Sequence, residues 1–173
     1  MRALITAAYL ALTGSFALAA SERAVTNAFA DKQGRVHIVT ADGRDRMIPP
    51  EKDQEGVEKI QVASDGNTVA WLVDTSASCC VSYPLPTELV VWRSGHILRR
   101  VDAVRPIWGW VFQKNGALIA YRASFPHGGW SGEFVLMDIA TGKTLGSWDH
   151  PVNENGNDTD DAPDEPEWAK LVP

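Results

Sequence analysis

The sequence contains few of the residues that build metal and redox sites. Its only cysteines are the neighbours Cys79 and Cys80. Its histidines are scattered along the chain, at His37, His96, His127 and His150. No C-x-x-C, H-x-x-x-H or H-E-x-x-H spacing is present, and no G-x-S-x-G nucleophile elbow occurs. The sequence therefore predicts no metal site and no cofactor, and it carries no recognisable catalytic motif.

Clustered basic residues are also missing. Lys and Arg number 16 against 22 Asp and Glu, which gives a net charge of −6. The densest basic position is the pair Arg99 and Arg100. Because binding to phosphates requires clustered Lys and Arg side chains, the composition argues against a nucleic-acid partner.

Residues 1–20 have the pattern of a bacterial export signal. Arg2 provides a positive start, residues 3–12 are apolar apart from one threonine, and residues 17–19 (Ala-Leu-Ala) form a cleavage site of small residues. The apolar run is interrupted at residues 13–15, so it is shorter than the roughly 20 residues that span a membrane. We expect removal of this signal, no membrane span in the mature chain, and a periplasmic location, with secretion as the alternative.

The rest of the chain is patterned as antiparallel β-structure. Short β-branched runs alternate with turn dipeptides, and no long helical pattern is visible. The turn dipeptides are Asp42-Gly43, Asp65-Gly66, Ser94-Gly95, Asn115-Gly116 and Thr141-Gly142. A glycine-containing pair between two apolar runs is typical of a tight hairpin. The sequence therefore predicts an all-β fold of five hairpins and about ten strands.

These hairpins repeat. Residues 64–71 match residues 114–121, and residues 88–95 match residues 133–142, with offsets of 45 to 50 positions. Residues 36–48 form a third copy of the hairpin found at residues 88–95 and 133–142. A four-stranded unit of this length is the repeat expected for one blade of a propeller.

Two phrases of this repeat resemble the TolB-type β-propeller family. Residues 63–71 (ASDGNTVAW) are similar to its inner hairpin motif, and residues 135–143 (VLMDIATGK) are similar to its outer one. The resemblance covers residues 36–148. It implies a propeller-like fold that serves as a protein-binding scaffold or as a domain attached to an enzyme.

The number of repeats is too small for a closed ring. Two full units and one half unit make about two and a half blades, whereas closed propellers use about four to eight. We expect residues 21–150 to form one all-β domain of antiparallel hairpin repeats, either a partial β-propeller or a small barrel or sandwich. A ring completed by self-association is the remaining alternative.

Two long excursions interrupt the repeat at equivalent places, residues 74–87 and 124–132. Long loops on a rigid sheet scaffold commonly carry binding residues. If both loops project from one edge, the aromatic and imidazole side chains in them form one patch, composed of Tyr83, Phe125, His127 and Trp130. Such a patch suits contact with an envelope protein or a glycan.

The adjacent cysteines allow a second interpretation. Consecutive Cα atoms lie about 3.8 Å apart, below the usual span of a disulfide, so a vicinal bridge between Cys79 and Cys80 would be strained and reducible. A bridge and two free thiols both remain open.

The main hypothesis is an exported, non-catalytic binding or scaffold domain of the bacterial envelope. The alternative is a redox-active or hydrolytic accessory enzyme that uses Cys79-Cys80 or the His127 loop.

Residues 151–173 differ from the rest of the chain in charge. They contain seven Asp or Glu and one Lys, so most of the net negative charge lies here. This composition predicts a flexible acidic tail. Trp168 near its end is either a residue that docks on the sheet or a contact for a partner.

Overall fold

A computed structural model describes residues 24–76, 81–126, 132–152, 162 and 164–173. These residues contain eleven β-strands and no helix. The strands are β1 (Val25–Ala30), β2 (Val36–Thr40), β3 (Asp45–Ile48), β4 (Gln54–Val62), β5 (Thr68–Thr75), β6 (Leu85–Arg93), β7 (His96–Asp102), β8 (Ile107–Gln113), β9 (Leu118–Ala123), β10 (Glu133–Asp138) and β11 (Thr144–Asp149). The all-β prediction is confirmed, and the additional strand is β1.

Consecutive strands pair into three antiparallel sheets. The first sheet has the order β1-β2-β3, the second β4-β5-β6-β7 and the third β8-β9-β10-β11. All five predicted hairpins are present as neighbouring pairs. Each sheet is therefore a simple meander, and the chain completes one sheet before it starts the next.

The tight turns are determined by local chemistry. Gly66 and Gly116 have φ angles of +65° and +81°, a region that side chains rarely adopt. Asp65 fixes the first of these turns, because its Oδ1 accepts hydrogen bonds from the backbone N–H groups of Asn67 (2.8 Å) and Thr68 (2.9 Å). These are the features from which the hairpins were predicted.

The second sheet packs face to face against both of the others. Along β5, Val69, Trp71 and Val73 join the core shared with the first sheet. Ala70 and Leu72, which alternate with them, join the core shared with the third sheet. Both faces of this strand are therefore buried, and the three sheets stack in chain order as successive blades of a partial propeller.

Arginine side chains connect neighbouring sheets along the edge that carries the tight turns, which we call the turn edge. Arg46 of β3 donates to the carbonyl of Gly95 in the second sheet. Arg93 of β6 donates to the carbonyl of Gly116 in the third sheet (2.5 Å), and Arg99 of β7 donates to that of Ile139 (3.1 Å). These contacts give hydrogen-bond donors to turn carbonyls that would otherwise depend on water.

Arg100, the other member of the basic pair, also has acidic partners within the fold. Its guanidinium lies 2.5 Å from Glu51 and 2.9 Å from Glu88. Burial acts to lower the pKa of Arg100, but the hydrogen bonds that its guanidinium donates to Glu88 and Glu51 raise it overall. The densest basic spot in the sequence is thus engaged in structural contacts.

The first sheet lacks one strand relative to the other two. Its β1 starts at the turn edge, where the Val25 N–H donates to the Gly66 carbonyl (2.7 Å). In the second sheet, β5 and β7 start at the same edge, so the run β1, β2, β3 corresponds to β5, β6, β7. Among the described residues, the first sheet has no counterpart of β4, which explains why the repeat count is below three.

Residues 164–173 pack on the third sheet. Gln113 Nε2 donates to the Trp168 carbonyl (2.9 Å), and a Cβ placed on Gly146 would lie 3.4 Å from the Trp168 ring. Ala169 is 1% exposed. The expectation of a flexible tail therefore does not describe this last stretch, and Trp168 is a docking residue. Residues 153–161, which are also acidic, lie outside the described residues.

The outward face of the first sheet carries a histidine between two carboxylates. His37 Nδ1 lies 2.8 Å from Asp45 Oδ2, and its Nε2 lies 3.2 Å from Asp31 Oδ2. The hydrogen bonds to Asp45 and then to Asp31 raise the pKa of His37 above its ordinary value of 6.5. Burial acts to raise the pKa of Asp31, but hydrogen bonds from the Arg35 backbone, from His37 and from the Arg35 guanidinium lower it well below its usual range.

This arrangement predicts that stability depends on pH. A group whose pKa is raised on folding stabilises the fold fully below its unfolded value and loses that contribution as pH rises through the folded value. The free energy of unfolding of the natural chain should therefore exceed that of the His37→Gln variant by more at about pH 5.5 than at about pH 8.5. Urea unfolding at several pH values measures this difference. A difference independent of pH would contradict the assignment.

Candidate functional site

The two long excursions lie at one edge of the stacked sheets, opposite the turn edge. We call it the loop edge. The first excursion joins β5 to β6, the second joins β9 to β10, and the crossover at residues 103–106 joins β7 to β8 at the same edge. Hydrogen bonds connect the crossover to the end of the first excursion and to the start of the second. The Ala103 N–H donates to the Thr87 carbonyl (3.0 Å), and the Ser124 N–H donates to the Pro106 carbonyl (3.1 Å).

Large apolar side chains are exposed along this edge. Tyr83 is 48% exposed, Phe125 is 43% exposed and Val104, in the crossover, is fully exposed. The Arg105 guanidinium carbon lies 4.9 Å from the centroid of the Phe125 ring, in a cation–π arrangement. An exposed aromatic surface with an arginine beside it has the composition that protein interfaces favour.

The backbone beneath this surface is well fixed. Trp108 Nε1 donates to the carbonyl of Ser124 (3.0 Å), which holds the chain just before Phe125. The Thr75 and Thr87 hydroxyls are hydrogen-bonded at 2.8 Å across the base of the first excursion. Both excursions therefore start from anchored strand ends, as expected for loops that present side chains from a rigid scaffold.

The structure describes half of the predicted patch. It places Tyr83 and Phe125 at the loop edge. His127 and Trp130 lie outside the described residues, so their membership of the patch remains a prediction. Cys79 and Cys80 also lie outside them, and the question of a vicinal disulfide stays open.

Sequence reasoning missed Val104 and Arg105. They belong to a short crossover with no repeat signal and no motif. The available clue was a valine in a break between two strands, close to Pro106, where no sheet partner could cover it. Only the packing of the sheets places this crossover between the two excursions.

One carboxyl near the base of the first excursion has a shifted pKa. Burial, followed by the negative charge of Glu58, raises the pKa of Asp74. A perturbed carboxyl in a cleft can indicate catalysis. Asp74 has a structural explanation instead, since it lies beside Gly56 on the neighbouring strand, where a Cβ would approach its Oδ2 to 2.5 Å.

Neither a metal-binding cluster nor a membrane-spanning helix is found in the described part of the chain. It contains no group of three or more His, Cys, Asp or Glu side chains arranged to hold a metal ion. Its residues also include no helix of the length and apolarity needed to cross a membrane.

Comparisons with known proteins return distant structural likenesses. No family model and no curated protein matches the chain. The C-terminal WD40 domain of Sif2 is similar with a TM-score of 0.47 and 14% identity, covering 72% of this chain and 33% of that one. The β-propeller domain of Cps50 (Swd1) from Myceliophteria thermophila is similar with a TM-score of 0.42 and 14% identity, covering 88% and 49%. The chain thus spans a third to a half of these proteins.

Proposed function

We propose that the chain is an exported, non-catalytic binding or scaffold domain of the bacterial cell envelope that contacts a protein or a glycan through the loop edge. The observation that carries this proposal is the exposure of Tyr83, Val104 and Phe125 in loops at one edge, with Arg105 over the Phe125 ring. Scattered apolar residues are normal on a surface, whereas several on one anchored edge favour an interaction site.

The chemistry of the edge fits both kinds of partner. Tyrosine, tryptophan and arginine are the side chains that contribute most at protein interfaces. Aromatic rings also offer flat faces on which the C–H face of a sugar can stack, and the hydroxyl of tyrosine can bond to the sugar hydroxyls.

The envelope location rests on the sequence. The apolar segment at residues 3–12 and the small residues at 17–19 support export, and the periplasm is the proposed destination, with secretion as the alternative. Kinship with TolB-type repeats belongs to the same proposal and is supported by residues 63–71 and 135–143.

The loop edge is tested by a double variant, Tyr83→Ala with Phe125→Ala. Partners captured from an envelope extract, and glycans bound on an array, are compared between this variant and the natural chain. Because aromatic residues at the centre of an interface commonly dominate its energy, we expect binding to weaken about tenfold or more. Both side chains are substantially exposed, so thermal stability should change little.

Phe29→Ala provides a matched control, because Phe29 has nearly the same exposure, 42%, but lies on β1 in the first sheet. The control should retain every partner. Equal binding by the double variant and the natural chain would refute the proposal. Thiol titration with and without reductant separately tests the alternative enzyme that uses Cys79 and Cys80.

A further inference from the structure

The third sheet has an end face that is turned away from the second sheet. By strand register and alternation, this face carries five small or apolar residues, namely Gly109, Leu118, Ala120, Phe134 and Gly146. Ile119, which alternates with two of them along β9, belongs instead to the core shared with the second sheet. We call this end face the covered face, because Ala120 is 0% exposed and Phe134 is 6% exposed.

The end of the chain packs on the covered face. The described residues form no fourth sheet, and residues 164–173 lie over this face instead. Trp168 lies against Gly146, as described above, and a Cβ placed on Gly109 would collide with the carbonyl oxygen of Pro173. A glycine has no side chain, so it permits this close approach of two backbones. The last ten residues are therefore held by packing and by one side-chain hydrogen bond, and not by strand pairing.

The opposite end face, which is the outward face of the first sheet, is exposed, and we call it the open face. Phe29 of β1, His37 of β2 and Met47 of β3 lie beside one another in register. Phe29 is 42% exposed and Met47 is 50% exposed, and the His37 ring stacks on Phe29 with the two centroids 4.9 Å apart. A row of apolar side chains across neighbouring strands is the kind of surface on which a second sheet packs.

The two end faces carry charges of opposite sign. Asp45 lies on the open face, and its side chain is 47% exposed. Arg122 lies on the covered face, with its guanidinium carbon 5.7 Å from the centroid of the Phe134 ring. Opposite charges favour contact between an open face and a covered face, whereas contact between two open faces would bring two copies of Asp45 together. The charges therefore favour a head-to-tail contact between two copies of this chain.

The number of sheets permits closure by two copies. One copy supplies three sheets, so two copies supply twice three, or six. Closed propellers have about four to eight blades. In a pair of copies, the open face of each packs on the covered face of the other, so the same contact is made twice about a two-fold axis. Both end faces are then buried, but only after residues 164–173 have moved away.

We propose that residues 164–173 keep the chain monomeric by occupying the covered face, and that their release allows two copies to close into a ring of six sheets. The occupant of the covered face is then the open face of the second copy. Because the end of the chain and the second copy compete for one surface, the apparent dissociation constant of the dimer rises as the uncovered fraction of the chains falls. The proposal concerns the end faces, so it does not depend on the function proposed for the loop edge.

The test displaces residues 164–173 without shortening the chain. In Gly109→Val the new side chain takes the space of the Pro173 carbonyl, and valine is compatible with this position because Gly109 lies in strand β8 and has no positive φ. Trp168→Ala weakens the same contact from the other side and leaves the sheet unchanged. Light scattering at increasing concentration should give the mass of one copy for the natural chain and approach that of two copies for the variants. The dissociation constant of the dimer should fall about tenfold or more.

Gly146→Ala is the matched control for the displacement. Its Cβ would lie 3.4 Å from the Trp168 ring, which is an ordinary contact distance, so the end of the chain should stay in place. This variant should remain monomeric at every concentration at which Gly109→Val dimerises. Circular dichroism of each variant reports whether the β-structure is retained.

Two further substitutions, each combined with Gly109→Val, identify the surface of the second copy. Met47→Asp places a charge within the open face and should weaken the dimer about tenfold or more. Val104→Asp adds the same charge at a fully exposed residue of the loop edge, and it should change the dissociation constant by less than about threefold.

Four results would each overturn the proposal. They are a natural chain or a Gly146→Ala chain that dimerises as readily as Gly109→Val, monomeric behaviour of both released variants, growth into assemblies larger than two copies, and a dimer that Met47→Asp leaves intact. If Gly109→Val does not fold, the charge substitutions are made with Trp168→Ala, which changes no residue of the sheets.

Discussion

Replacing Leu72 by alanine is expected to lower the free energy of unfolding by about 3 kcal/mol, within the usual range of roughly 2–5 kcal/mol for a buried leucine. Leu72 is 0% exposed and belongs to the core between the second and third sheets. Truncation removes apolar contact and leaves a cavity bounded by two sheets. The backbone of β5 cannot move to fill it, because the opposite face of this strand is packed against the first sheet.

Leu145→Ala is the matched control for this prediction. Leu145 is 50% exposed on β11, so the same truncation should cost less than about 1 kcal/mol. Urea unfolding of both variants, with circular dichroism as the signal, provides the comparison. If the two variants lose equal stability, β5 is not the centre of the fold, and the stacked order of the three sheets is incorrect.

The hairpins could be predicted because their information is local. A residue pair such as Asp65-Gly66 contains both the side chain that accepts the turn hydrogen bonds and the glycine that adopts a positive φ. The flanking alternation of apolar residues then determines which face is buried. All five hairpins depend on information of this kind, and all five are present.

Strand β1 was missed for the opposite reason. Its sequence, VTNAFA, contains an asparagine and two alanines, which are weak strand formers, and only Val25 is buried. The strand exists because it pairs with β2 and because its start is hydrogen-bonded to Gly66. Neither contact can be read from the six residues themselves.

The candidate site was predictable to the extent that the repeat determined it. Equivalent excursions in equivalent hairpins must leave the sheets at the same edge, which assigns Tyr83 and Phe125 to one edge without any knowledge of packing. Val104 and Arg105 have no such equivalence. They reach the edge because the third sheet stacks on the second, and this stacking is a long-range property.

The end of the chain provides the second large expected effect. Ala169→Asp should lower the free energy of unfolding by about 2–4 kcal/mol, because Ala169 is 1% exposed and a charge at that position loses its hydration. Hydrogen exchange of β8 and β11 amides should also accelerate, since residues 164–173 pack over Gly146 and bond to Gln113.

Leu171→Asp is the control that separates packing from composition. It adds the same charge two residues later, at a side chain that is 60% exposed, and should change the unfolding free energy by less than about 0.5 kcal/mol. If the end of the chain were a flexible acidic tail, both side chains would be solvated and neither substitution would change the free energy of unfolding. Equal behaviour of the two variants would therefore favour the flexible tail, whereas a large loss confined to Ala169→Asp would show that the last residues pack on the third sheet.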